Sequence, residues 1–417
     1  FGAYYTTLAY SKEWDAPWRV GEHADIVVRF DNGGHRLVFW RGTSYIPCWV
    51  TENGIWYTNE FCERLSNCCD CEGCVEPMSD KLCKFSHVRI IENTEARVVI
   101  HWRYAPVDVH YTHPYLDEKG WGDWVDEYYT VYPDGACVRK ITIHTAAPDE
   151  FIEWHEAIII NQPGTLPENN IEPEAMTLAN LRGDAKRYTW DENGSPDSLE
   201  DIPADCSIQV INLKAKQKPF MFVDPRNLLV DLFKGHKEGS NFHHWDHWPV
   251  SMDKSWTRNA TSAARPSHSS LFNLRDWQEY SRTENSVTRL MLNGLTDRPV
   301  NELTSLAASW LEPPAVTDCA AGFSGVKYDP AERAYHFTRD DSGTPLEFTL
   351  EASAASPVDG LAVVVKGWGE DVVQVKLDGQ LLAHRDYLQG QRQTLDGTDL
   401  VLWIPTGGTT ALSVTIE

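Results

Sequence analysis

Short runs of β-branched and aromatic residues, cut by turn-forming Gly, Pro, Asn and Asp, dominate the first three quarters of the chain. They predict strands over 25–30 (DIVVRF), 35–40 (HRLVFW), 88–91, 96–102 (ARVVIHW), 124–132 (WVDEYYTVY), 138–144 (VRKITIH) and 207–213 (SIQVINL). Asp31-Asn32-Gly33-Gly34, Glu52-Asn53-Gly54 and Pro133-Asp134-Gly135 supply the turns between them. Helical periodicity is confined to 302–311 (ELTSLAASWL), just before Pro313-Pro314 breaks the chain. Beyond it, short strands are predicted over 323–328, 334–338, 346–351, 361–366, 372–377, 400–404 and 411–416.

The pattern is all-β. Its 417 residues exceed what one core holds, so two domains are expected. The first, over 1–312, reads as a large β-supersandwich-like catalytic domain, with a β-propeller as the alternative. The second, over 313–417, reads as a C-terminal β-sandwich with a structural or carbohydrate-binding role.

Composition narrows the partners. Sixty-one acidic residues against 37 basic ones leave a net charge of −24, which repels nucleic acid and anionic lipid. No apolar run is long enough to span a membrane. The chain starts at Phe1 without a basic-then-apolar leader, as a processed or a trimmed protein would, so any export signal would already be gone; the expected location is secreted or periplasmic. Seventeen Trp suit the stacking of sugar rings, although each one serves equally well as core. Cys71-x-x-Cys74 with Cys83 has zinc-ligand spacing, but no second CxxC follows. Disulfides, a structural metal ion (Zn or Ca) and free thiols therefore stay open.

Chemistry concentrates in 241–251, NFHHWDHWPVS. Its His243 and His247 are four apart, yet the residues between are not HExxH, and Pro249 argues against a helix. In a strand, His243, Trp245 and His247 share one face, and His244, Asp246 and Trp248 the other. Over 240–275 the carboxylates are Asp246 and Asp253 alone, against Lys254, Arg258, Arg265 and Arg275. In so acidic a chain, that is the local basic patch an acidic glycan needs. Cleaving a uronate glycan by β-elimination requires a group to neutralise the carboxylate, a base for the C5 proton and an acid for the leaving oxygen. His, Arg, Asn and Tyr are the types gathered here, in 35–58 and at 154–162. Hydrolysis would need two flanking carboxylates instead, and Asp123, Asp126, Glu127, Glu153 and Glu156 are available.

The segments FWRGTSYIPCWVTENGIWYTNEF, WVDEYYTVYPDG, WHEAIIINQPG and HWPVS…RPSHSSL resemble secreted all-β polysaccharide lyases that degrade ulvan and related uronate-bearing glycans. The likeness covers about the first three hundred residues, and the 68–83 cysteine insert falls outside it. It implies β-elimination on an acidic polysaccharide or oligosaccharide, metal-independent or metal-assisted, with no cofactor required. The expected roles are His247 or His155 as base, Tyr45 as acid, and Arg265 with Asn161 on the carboxylate. Arg41, His268 and His244 would be substrate contacts, and Trp248 and Trp49 stacking platforms. The alternatives are a glycoside hydrolase using Glu156 and Asp126, or a glycan-binding protein without catalysis. Which glycan, and the oligomeric state, stay open.

Overall fold

A computed structural model describes residues 1–9, 24–64, 71, 74–80, 82–196, 201–236, 239–245, 248, 266–341 and 343–417. The chain is nearly all β. Its larger part is a sandwich of two antiparallel sheets, and the propeller alternative is set aside by their length and continuity.

The front sheet has nine strands: β1 (Gly2–Thr6), β2 (Asp25–Arg29), β3 (Arg36–Phe39), β4 (Pro47–Val50), β5 (Trp56–Thr58), β6 (Glu156–Asn161), β7 (Leu229–Leu232), β8 (His243–Trp245) and β9 (Ser267–Arg275). The order runs β1-β2-β3-β4-β5-β6-β9, and β7 and β8 take successive stretches of the free edge of β9. The back sheet has ten strands, with Ser286–Thr296, Ala136–His144, Trp124–Val131 and Val98–Tyr104 at its centre.

The two sheets close on a continuous apolar core. Trp49 Nε1 donates to Asn293 Oδ1 of the back sheet at 2.8 Å, and the Tyr57 hydroxyl reaches the Met221 sulfur. The single long helix, α1 (Val300–Leu311), buries Leu303, Leu306, Ala307 and Trp310 on the outer side of the back sheet. Two five-stranded sheets over 316–416 form the C-terminal sandwich around a core of their own. That sandwich also docks on the back sheet. Tyr132 stacks on Trp403, and Arg333 pairs with Asp134, Arg97 with Glu332 and Arg298 with Asp359. The helix and the second sandwich thus occupy the back of the large domain.

Most predicted strands sit within two residues of the observed ones, and the helix begins two residues earlier than its pattern suggested. The zinc reading of the cysteines is corrected. Cys71 is disulfide-bonded, and Cys74 and Cys83 are separate free thiols, the latter donating to the Arg41 carbonyl. These three do not gather into a metal-ligand set among the described residues.

Candidate functional site

Strand alternation decides which front-sheet side chains can meet a ligand. Trp49 and Tyr57 are cross-strand partners and both point to the back sheet. Their neighbours Val50, Trp56 and Thr58 therefore point outward. Antiparallel partners share a face, so the register extends two outward rows across the sheet. One row is Trp56, Ile160, His268 and Trp245; the next is Thr58, Ile158, Ser270 and His243. Rows so related are about 7 Å apart along a strand.

The first row holds an imidazole between indoles. The Trp245 ring stacks on His268 at 6.2 Å between centroids, and Trp248 meets it edge-on at 5.6 Å. His268 and Trp248 are buried, whereas Trp56, His243 and Trp245 are half-exposed. Toward β2–β4, Trp56 packs beside Trp40 on the outward patch of Val27, Val38 and Val50.

A β-bulge builds the next part of the face. Glu156 pairs with Asn273 and Ile158 with Ser270, so two residues of β6 are spanned by three of β9. The extra residue brings both Ser270 and Asn273 to the outward side, around Glu156. The Ser270 hydroxyl faces the Glu156 carboxyl. Two further carboxyls join from outside the strands. Glu60 follows β5 with a left-handed backbone (φ 61°), a conformation uncommon for a side chain of its size. Glu153 precedes β6 and is bridged to Glu63 through both backbone hydrogen bonds. One carboxylate oxygen each from Glu60, Glu153 and Glu156 lie within 4.8 Å of one another. Glu60 and Glu153 are sealed, and Glu156 is half-exposed.

Burial raises all these carboxyls, and their mutual repulsion raises them further. Glu156 is pushed up to about 8 by burial and then by Glu153. Glu60 stands well above the ordinary carboxylate range for the same reasons, and Glu63 and Glu153 are raised chiefly by burial. Beyond the cluster, Arg275 pairs with Asp231 at the edge of a cavity of ≈ 310 Å³ that Leu228 and Pro203 also line.

The residues singled out from sequence fare unevenly. His268 lies on the outward face. His247 and Arg265 lie outside the described residues; their chain neighbours are the Trp245–Trp248 segment and Ser267 respectively. Asn161 and His244 share the opposite parity and face the interior, fully buried. The Asn161 amide donates to Ser269 Oγ at 3.0 Å and accepts from Asn170, so it holds strands together and does not reach a substrate carboxylate.

His155 is a core histidine. It donates from Nδ1 to the Asn59 carbonyl and packs on Phe272, and burial followed by the Arg139 charge lowers it to about 3. A neutral imidazole so enclosed cannot take a proton from a glycan. Tyr45 is also buried, beside Asp25, Arg41 and Cys83, and burial raises its phenol well above the usual value. Arg41 is spent on the buried Asp25 carboxylate. Trp49 faces the core and Trp248 is covered; the half-exposed indoles on this face are those of Trp56 and Trp245.

The proposed hydrolase pair is split. Asp126 lies in the back sheet, held by His101, His144 and Arg103. Its sequence neighbour Glu127 points into the sandwich interior, so Asp126 faces the opposite outer side from Glu156. The sequence had offered Glu153 as one carboxylate among many. Glu60, Ser270 and Asn273 carried no signal, because only the bulge and the cross-strand register bring them together.

No family model and no curated protein matches the chain. Among solved structures, a galactose 1-epimerase from Lactobacillus acidophilus NCFM aligns with 70% of this chain and 98% of its own, at 6% identity and a TM-score of 0.30. So faint a likeness carries no argument about function.

Proposed function

We propose that the protein is a polysaccharide lyase that cleaves a uronate-bearing glycan by β-elimination on the outward face of the front sheet. The observation that carries this reading is the row Trp56–Ile160–His268–Trp245, an imidazole set among indoles beside a cluster of carboxyls. Half-exposed indoles offer flat surfaces to sugar rings. His268, set between the rings of Trp245 and Trp248, is the residue assigned to move the C5 proton, a step for which a positioned base contributes about 10²–10⁴-fold. The segment most basic in sequence, 240–275, contributes β8 and β9 to this same face.

Hydrolysis is the second reading, favoured by one observation: a half-exposed Glu156 raised to about 8 suits a general acid. Its nearest carboxyl neighbours argue against it. Glu60 and Glu153 are sealed from solvent, with an oxygen of each within 4.8 Å of one of Glu156, so neither presents a second carboxylate to a glycosidic bond on the open face.

The test is a panel of uronate glycans followed by absorbance of the unsaturated product and by reducing-end release. Both signals should rise together, and His268→Gln should lower them by about 10²-fold or more while the melting temperature holds. Reducing ends without unsaturation would replace this reading with hydrolysis. Binding without any product would leave a glycan-binding protein.

A further inference from the structure

The carboxyls beside His268 differ from the buried carboxylates of Asp25 and Glu127, which are paired with arginines. Among the described residues, no Lys, Arg or His forms an ion pair with Glu60, Glu153 or Glu156, although the charges of Arg139 and Arg275 act on Glu60 and Glu153 from further off. Glu60 Oε2 and Glu156 Oε1 are buried without a hydrogen-bond partner. Ser270, fully buried and uncharged, turns its hydroxyl to the Glu156 carboxyl and meets no other partner. Asn273 donates from Nδ2 to Glu153 at 2.6 Å, which turns its Oδ1 to a position with no partner either. Glu60, Glu156, Ser270 and Asn273 thus each bring to this cluster a buried oxygen that nothing outside it satisfies. Sealed polar atoms of this kind are costly unless something binds them.

We propose that Glu60, Glu153 and Glu156 bind a calcium-like divalent cation, with Ser270 Oγ and Asn273 Oδ1 as further ligands. Every donor is oxygen, which selects a hard cation over zinc. Ligand atoms up to 4.8 Å apart fit calcium, whose bonds of about 2.3–2.6 Å place opposite ligands at about that span. Magnesium at about 2.0–2.1 Å would require the cluster to contract. Glu156 and Asn273 are partly exposed on the outward side although their proposed ligand oxygens are buried, so that side is the one from which the cation would be reached. On the lyase reading, on which this part of the inference rests, that open position takes the uronate carboxylate and neutralises it as the C5 proton leaves. A second acidic group, Asp329–Glu332–His336, meets the same spacing, but Glu332 is already paired with Arg97.

The experiment is calorimetric titration of the EDTA-treated full chain with calcium chloride, alongside thermal unfolding with and without calcium. One saturable site and a rise in melting temperature are expected. Glu60→Gln and Glu156→Gln should weaken binding by roughly 100-fold or more, and Asp329→Asn should leave it unchanged. Ser270→Ala removes an uncharged ligand and keeps the test alive if a glutamate variant fails to fold; it should weaken binding by about 10-fold. Absence of saturable binding, or equal binding by Glu60→Gln and Ser270→Ala, would overturn the proposal. Calcium binding with no unsaturated product on any glycan would leave the cation site standing and remove the lyase reading. Unsaturated product formed at full rate in EDTA by a chain that binds no calcium would do the reverse.

Discussion

Two buried glutamate centres lie on either side of the front sheet, and they are solved in opposite ways. In the sandwich interior, Glu127 receives Arg139 through two bonds of 2.6 and 2.8 Å, plus the hydroxyls of Tyr104 and Tyr129. Both its oxygens are fully engaged. On the outward side, Glu60, Glu153 and Glu156 crowd together with an amide and the Ser270 hydroxyl and form no ion pair among the described residues. A charge buried for architecture is compensated by the chain itself. On the proposal above, a charge buried for function is left for a ligand to compensate. Asn59 and Glu60 join the two centres, because the Asn59 carbonyl accepts from both Arg139 Nη1 and His155 Nδ1 before the chain turns outward.

The largest effect is expected from removing compensation where it exists. Arg139→Met keeps the volume but strands the Glu127 carboxylate in the core, so chemical denaturation should register a loss of about 3–5 kcal/mol. A loss below 1 kcal/mol would mean that the two tyrosine hydroxyls alone suffice, and the contrast between the centres would shrink accordingly.

The histidine beside Arg139 gives the next effect, and its sign follows from burial. His155 is held neutral down to about 3, whereas the unfolded chain protonates it near 6.5. Its contribution is therefore fully favourable above pH 6.5 and is lost as the pH falls from there toward 3. A deficit of 1.5 pH units corresponds to about 2 kcal/mol at pH 5. His155→Gln can still donate to the Asn59 carbonyl and does not titrate. Relative to the parent it should gain about 2 kcal/mol between pH 7 and pH 5. A parallel pH profile would show that His155 is reached by water or substrate, and would restore it as a catalytic base.

The contrast also explains what could be read from the sequence. The strands were legible because β-branched runs and turn residues act locally, and so was the alternation that separates His243 and Trp245 from His244. The outward face was not, since it depends on Trp49 meeting Asn293, which lies 244 positions away. Arg41, Tyr45 and Trp49 look the same in sequence whether they line a core or a cleft. Here they line the core, because strands β3 and β4 stand between two covered layers. The carboxyl cluster was hidden for a further reason. A bulge changes parity, and neither the β9 bulge nor the left-handed Glu60 has a local signature.

The smallest effect, and the sharpest for the comparison, is expected at Glu60 without metal. Replacing a compensated buried carboxylate costs stability, as it should at Glu127. Replacing one that only repels its neighbours should not. In EDTA at neutral pH, Glu60→Gln removes a carboxyl that burial, Glu153 and Glu156 all disfavour in its charged form. Its stability should equal the parent's or exceed it by up to about 2 kcal/mol. In saturating calcium the order should invert, with the parent gaining stability that the variant does not. A Glu60→Gln protein less stable than the parent in EDTA would mean that Glu60 is compensated within the chain. The outward cluster would then be a second architectural centre like Glu127.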